Sequence, residues 1–109
     1  KVEGITLPLE FIDGATNIYW IFGLKINKEL KIDSRTVMKK LASEGVGTRP
    51  FFYPLHKQPA LQRLGIIKNQ ILTVSENLYD KGFYIPSGLG MSFSDQEVVA
   101  EKIKRVFGA

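Results

Sequence analysis

Cysteine is missing from the chain's 109 residues, which excludes disulfides, thiolate metal ligands and a thiol nucleophile. Its absence is consistent with a reducing compartment, and a cytoplasmic location is expected. Histidine is almost as scarce. His56 stands alone and cannot build a multi-histidine metal site, and no acidic pair has the spacing of an oxygen-ligand site, so no metal is expected. Long apolar runs are lacking too: none approaches the roughly 20 residues of a spanning helix, and the first residues lack the apolar core of a signal peptide. No membrane partner is expected. An initiator methionine is also absent, since Lys1 opens the chain, which points to a fragment or a processed protein.

A strong charge of one sign is lacking as well. Fifteen Lys and Arg against eleven Asp and Glu leave +4, and the lysines are scattered. A nucleic-acid-binding surface concentrates its charge on one face, so these are read as solvated surface lysines, with no nucleic-acid partner.

What is present describes one ordinary globular domain. Hydrophobic residues make up 44% and charged residues 24%, close to the soluble average, and a domain of this size buries roughly two-thirds of its unfolded surface. Residues 1–16 read as irregular or edge structure broken by Gly4, Pro8 and Gly14. Residues 17–27 alternate, with Ile18, Trp20, Phe22, Leu24 and Ile26 on one face, which predicts a strand with one buried side. Asp33 and Ser34 offer cap oxygens for a helix through Glu44, stopped by Gly45. Residues 46–53 are β-rich again, completing a β-α-β element. Residues 60–64 predict a helical turn before Gly65. Thr73 or Ser75 caps a short helix through Lys81, closed by Gly82, and residues 83–86 are briefly extended. A capping box from Ser94 to Glu97 opens the last helix, whose stripe is Val99, Ile103 and Val106, with Glu101, Lys102, Lys104 and Arg105 facing water. The fold expected is α+β: a small mixed sheet with helices packed mainly on one side.

Chemistry is thin. Gly88-Leu89-Gly90 lacks the rest of a phosphate-loop fingerprint, and Ser87 has no nucleophile elbow around it. The chain is expected to carry no catalytic residue. The informative stretch is Thr48-Arg49-Pro50-Phe51-Phe52-Tyr53-Pro54-Leu55-His56. If it is extended, Arg49, Phe51 and Tyr53 point one way and Phe52 the other. The phenylalanines then read as core on opposite faces, with Pro50 marking an edge. Arg49 is a planar fork for phosphate or carboxylate, Phe51 or Tyr53 a stacking wall, and His56 a donor or acceptor.

The run from Glu44 to Pro59 resembles the C-terminal domain of the DegT/DnrJ/EryC1/StrS family, pyridoxal-phosphate-dependent sugar aminotransferases, with the GDP-perosamine synthase-like branch the nearest in character. Asn17-Ile18-Tyr19-Trp20-Ile21-Phe22-Gly23, the helix from Ser34 to Gly45, the segment ending Ile85-Pro86-Ser87-Gly88 and the terminal helix are similar in order and spacing. The resemblance implies that residues 1–109 are the C-terminal small domain of a fold-type I enzyme. Such an enzyme moves an amino group from an amino acid, usually glutamate, to a nucleotide-linked keto sugar, in amino-sugar biosynthesis of the kind that supplies lipopolysaccharide O-antigen. It implies a homodimeric parent whose cofactor, pyridoxal 5'-phosphate, is bound mainly by a large domain outside this chain. None of these lysines matches the Schiff-base position, so the segment alone is expected to be inactive. Arg49, Phe51, Phe52, Tyr53 and His56 are the first candidates for lining the substrate pocket, and Asn17, Tyr19, Ser87 and Gly88 form a second set. The alternatives are a dehydratase or epimerase of the same family, a stand-alone nucleotide or nucleic-acid module, and a folded but inert domain.

Overall fold

A computed structural model describes residues 2–68 and 70–108. Six short strands and four helices follow one another as β1 (Ile5–Thr6), β2 (Phe11–Ile12), β3 (Ala15–Thr16), β4 (Phe22–Ile26), α1 (Ser34–Ser43), β5 (Arg49–Pro50), α2 (Pro59–Arg63), α3 (Thr73–Lys81), β6 (Gly82–Ile85) and α4 (Phe93–Phe107), with a 3-10 turn at Leu55–Lys57 before α2. The main sheet runs β1-β4-β6-β5, and β2 and β3 form a separate hairpin. The α+β class and the one-sided helix layer agree with expectation. Every pairing in the main sheet is antiparallel, so the sheet is not mixed. The β-α-β element is split: β4 and β5 run in the same direction, but β6 lies between them and opposes both.

The core sits between one face of this sheet and the helices. Leu24 and Ile26 of β4, Phe83 of β6, Val37 and Leu41 of α1, Val46 and Ile103 of α4 are all buried. Val37 and Leu41 are four apart, so they share a helix face, and the expected stripe of α4 packs there through Val99, Ile103 and Val106. Asp33 caps α1 by accepting the Thr36 N–H at 2.8 Å, and Gly45 follows at φ +79 in the left-handed conformation, which glycine adopts without a Cβ penalty.

Three sequence expectations shift. The extended run of residues 17–27 survives only as Phe22–Ile26. Asn17 accepts the Tyr19 N–H at 2.8 Å and donates to the Leu9 carbonyl at 3.0 Å, a local side-chain turn that competes with a ladder, and Tyr19 turns to φ 51. Ile18 and Trp20 are left 87% and 76% exposed. The terminal helix starts earlier than expected: Ser92, not Ser94, is the cap, and its capping-box partner is Asp95, not Glu97. Its basic face is also less free, because Lys102 donates to the Glu44 carbonyl and Arg105 pairs with the Glu44 carboxylate, tying α4 to the end of α1.

Around α3 neither Thr73 nor Ser75 caps the helix. Leu72 occupies the cap position, and its N–H goes to the Glu76 carboxylate at 3.1 Å. Gly82 is no left-handed stop. It begins β6 at φ −99, and a Cβ there would run into the Leu78 carbonyl and the Phe51 ring. Close approach, not an unusual dihedral, requires this glycine.

Candidate functional site

The ladder of β5 ends at Pro50, which has no N–H to donate and lies on an edge strand. Beyond it the alternation expected for residues 46–53 no longer applies. Phe51 lies across two glycines: a Cβ on Gly23 would meet its ring at 2.8 Å, and one on Gly82 would collide with it. Phe52 is 73% exposed. Their ring centroids lie 6.4 and 6.5 Å from that of Tyr84, within the range of aromatic pairing. The expectation that Phe51 and Phe52 face opposite sides is therefore overturned. Both line one groove of about 380 Å³ with Tyr84, Gly23, Lys25 and Thr6, on the face of the sheet away from α1 and α4. Arg49 stands opposite Tyr84 in the register, a position that puts cross-strand side chains on the same face, and it is exposed. Lys25 thus lines the aromatic groove, and Arg49 lies on the same sheet face beside Tyr84.

Tyr53 leaves this groove and meets Tyr79 of α3 edge-on, with centroids 5.0 Å apart. The Arg35 guanidinium donates to the Tyr79 hydroxyl at 3.3 Å and lies 5.8 Å from its ring centroid.

His56 does not offer an open donor or acceptor. It is 4% exposed, and its Nε2 lies 2.9 Å from Oε1 of Glu76. A carboxylate only accepts, so Nε2 carries the proton. The other oxygen of Glu76 accepts from Lys57 Nζ at 2.8 Å, and Oε1 also takes the Leu72 N–H. One carboxylate therefore fastens the 3-10 turn to the start of α3. The Lys57 contact, then His56, then the Leu72 amide, hold its pKa down at about 2 against the opposing effect of desolvation. Gln62 secures the other side of the turn by donating to the His56 carbonyl at 2.8 Å.

The second candidate set lies elsewhere. Tyr19, Ser87 and Gly88 line a larger cleft of about 1090 Å³ on the helix-bearing side. Tyr19 stacks on Phe22 with centroids 5.4 Å apart, and the Ser87 hydroxyl donates to the Trp20 carbonyl at 3.1 Å. Asn17 shapes the turn that enters this cleft. The sequence candidates thus divide among three places: Phe51 and Phe52 share the groove with Arg49 on the same sheet face, Tyr53 and His56 brace against α3, and Tyr19, Ser87 and Gly88 lie across the sheet.

Sequence reading missed Tyr84, Lys25 and Glu76. The alternation of Phe83, Tyr84 and Ile85 carries a signal for Tyr84, because a buried Phe83 turns its neighbour to the opposite face. An acidic residue in a helix's first turn is the corresponding signal for Glu76. Among the described residues no group of three His, Cys, Asp or Glu side chains could hold a metal ion. The amines of Lys81 and Lys102 are spent on backbone carbonyls, and those of Lys57 and Lys104 on carboxylates. None of these four is poised to hold a carbonyl cofactor.

Residues 3–104 match the model of the DegT/DnrJ/EryC1/StrS aminotransferase family. EpsN of Bacillus subtilis, assigned as a pyridoxal phosphate-dependent aminotransferase, is 27% identical over 107 residues, covering 97% of this chain and 27% of that protein. GDP-perosamine synthase of Vibrio cholerae is 24% identical over 95 residues, covering 87% of this chain and 25% of that protein. Among solved structures, the aminotransferase TlmJ from Streptoalloteichus hindustanus superposes with a TM-score of 0.81 at 20% identity, covering 98% of this chain and 27% of that one. The chain spans about a quarter of the length of these relatives. It belongs to the DegT/DnrJ/EryC1/StrS aminotransferase family.

Proposed function

We propose that this chain is the C-terminal small domain of a pyridoxal-phosphate-dependent enzyme that transfers an amino group from an amino acid, glutamate in the first instance, to a nucleotide-linked keto sugar. The observation that carries this reading is the groove of Phe51, Phe52, Tyr84 and Lys25, with Arg49 on the same sheet face beside Tyr84, within a chain matched to the family over residues 3–104. An aromatic floor suits a planar base or the apolar face of a sugar ring. A guanidinium suits the paired oxygens of a phosphate or carboxylate.

On this reading the residues present do not hold the cofactor by themselves: Lys81 and Lys102 are engaged by backbone carbonyls and Lys57 and Lys104 by carboxylates. The electron-sink chemistry the cofactor supplies belongs with polypeptide beyond these residues. The role of this chain is to bind and orient. Arg49 and Lys25 neutralise anionic oxygens, Phe51, Phe52 and Tyr84 cover an apolar surface, and Tyr53 and His56 hold the loop that carries the two phenylalanines. The parent works as a dimer in the cytoplasm on this reading.

The test is a chimaera in which these residues replace the matching span of the Vibrio cholerae GDP-perosamine synthase. Glutamate-dependent amination of a nucleotide-linked keto sugar, lowered at least about tenfold in kcat/KM by Arg49→Ala, is the expected result. A folded, cofactor-loaded chimaera that aminates no such sugar, or an Arg49→Ala variant with unchanged kinetics, overturns the reading.

A further inference from the structure

The groove holds its two phenylalanines by different means. Phe51 is seated on Gly23 and Gly82, where an added Cβ would meet its ring. Phe52 has no such seat. It is 73% exposed, and its ring lies beside that of Tyr84 with centroids 6.5 Å apart. The pairing of β5 has already stopped at Pro50. With Phe51 fixed on one side of it, the path of Phe52 is set by the residues that follow.

Those residues are fastened to one face of α3. Tyr53 meets Tyr79 and His56 meets Glu76, and positions three apart on a helix share a face. Between them Pro54 is buried, its φ of −56 fixed by the ring. Its carbonyl accepts the Lys57 N–H at 2.9 Å and closes the 3-10 turn. Only Tyr53, Pro54 and Leu55 separate Phe52 from His56, so the connection has little slack.

Glu76 divides its two oxygens between two tasks. Oε1 accepts from His56 Nε2 at 2.9 Å and from the Leu72 N–H at 3.1 Å. One donor is a buried ring and the other is backbone, so both are fixed in place. Oε2 accepts from Lys57 Nζ at 2.8 Å, and Lys57 is an exposed side chain that can turn to water instead. The Lys57 contact is also the largest influence holding the Glu76 pKa at about 2. Geometry resides on one oxygen and charge on the other.

We propose that Glu76 is a positioning residue for nucleotide-sugar binding: Oε1, acting through His56, sets where Phe52 stands in the groove, while Oε2 and Lys57 contribute to stability alone. The proposal deepens the reading above and rests on it for the ligand. A carboxamide serves as well as a carboxylate at the first oxygen. Glu76→Gln keeps an acceptor of the same reach for both N–H groups and turns its NH2 toward Lys57, which loses its partner. Glu76→Ala removes both oxygens and leaves the buried His56 donor unpaired.

The test separates the two oxygens. In the 109-residue chain, nuclear Overhauser contacts between the Phe52 and Tyr84 rings are expected in the wild type, Glu76→Gln and Lys57→Met, and are expected to vanish in Glu76→Ala. In the full reading frame that encodes these residues, Glu76→Ala should raise KM for a nucleotide-linked keto sugar about tenfold while kcat stays within about twofold. Glu76→Gln and Lys57→Met should leave both constants within about twofold of the wild type. A purely structural role would lower the amount of active enzyme, and so kcat, without moving KM.

A raised KM or a lost ring contact in Glu76→Gln or Lys57→Met overturns the division of tasks. Ring contacts and KM unchanged in Glu76→Ala, or a folded wild type without the Phe52–Tyr84 contact, overturn the positioning. If Glu76→Ala does not fold, Glu76→Met fills the same space without a carboxylate or amide acceptor and takes its place. An enzyme that aminates no nucleotide-linked sugar removes the functional reading, and the ring contacts then decide the positioning by themselves. Normal amination with ring contacts indifferent to Glu76 removes the positioning and leaves the function.

Discussion

The two faces of one four-stranded sheet treat their aromatic residues in opposite ways. On the open face Phe51 is locked: glycines at 23 and 82 leave room for its ring and for little else. On the helix-bearing face, Tyr19 and Trp20 stand at the edge of a wide cleft, with Trp20 76% exposed. Phe51 is enclosed by its neighbours, whereas Trp20 is held by few. A tightly packed site resists any change of volume, whereas an exposed one tolerates it.

The sharpest way to break this contrast is to add one methyl group on the locked side. Gly82→Ala should cost about 3 kcal/mol, the upper end for overpacking, because one of the atoms it meets is the Leu78 backbone carbonyl. Gly23→Ala meets only the Phe51 ring and should cost about 1–2 kcal/mol. Phe51→Leu should therefore rescue Gly23→Ala but not Gly82→Ala, and a urea-denaturation double-mutant cycle reads the difference. Rescue of neither would mean that the ring is not wedged against Gly23, and rescue of both that the Leu78 carbonyl is not the obstacle at Gly82.

The Glu76 clamp behind the groove should show itself in pH. Its pKa is lowered from 4.5 to about 2, so the stabilisation it gives is present above about 4.5 and is lost as pH falls through about 2. Acid titration of the unfolding midpoint should fall across that window and become flatter in Glu76→Gln. An unchanged slope would remove the clamp from the account.

Smaller effects belong to the cleft side. Ser92→Ala removes the cap of the helix that walls the cleft and should cost about 1 kcal/mol. Leu89→Ala and Ile18→Ala should stay within about 0.5 kcal/mol in the 109-residue chain, measured by the same urea titration. A loss of about 2 kcal/mol at either would show these side chains to be held as tightly as Phe51, and the contrast would fail.

Much of the framework is legible in the residues. Asp33 with Gly45 brackets α1, Val99 with Ile103 and Val106 marks the buried stripe of α4, and Pro50 announces an edge. These signals act within one or two turns of chain, where hydrogen bonding and side-chain period dominate. The misses share a different cause. Ile18 and Trp20 fit a strand by period, but Asn17 captures the Tyr19 amide and turns the backbone first. Ser94 and Glu97 fit a capping box, but Ser92 and Asp95 make one two residues earlier. Equivalent local patterns compete, and packing chooses between them.

The candidate site divides along the same line. The run from Thr48 to His56, with its prolines, aromatics and lone histidine, singles out a candidate loop, and only with the order and spacing of the other segments does it resemble the family to which the chain belongs. Which of those side chains share a surface was decided by tertiary structure. His56 meets Glu76 across 20 positions, and Phe51 and Phe52 reach Tyr84 only because β6 lies between β4 and β5. Sequence period specifies which way a side chain leaves its own strand or helix. It carries no information about which distant strand is inserted beside it, because that depends on how the whole apolar face is buried.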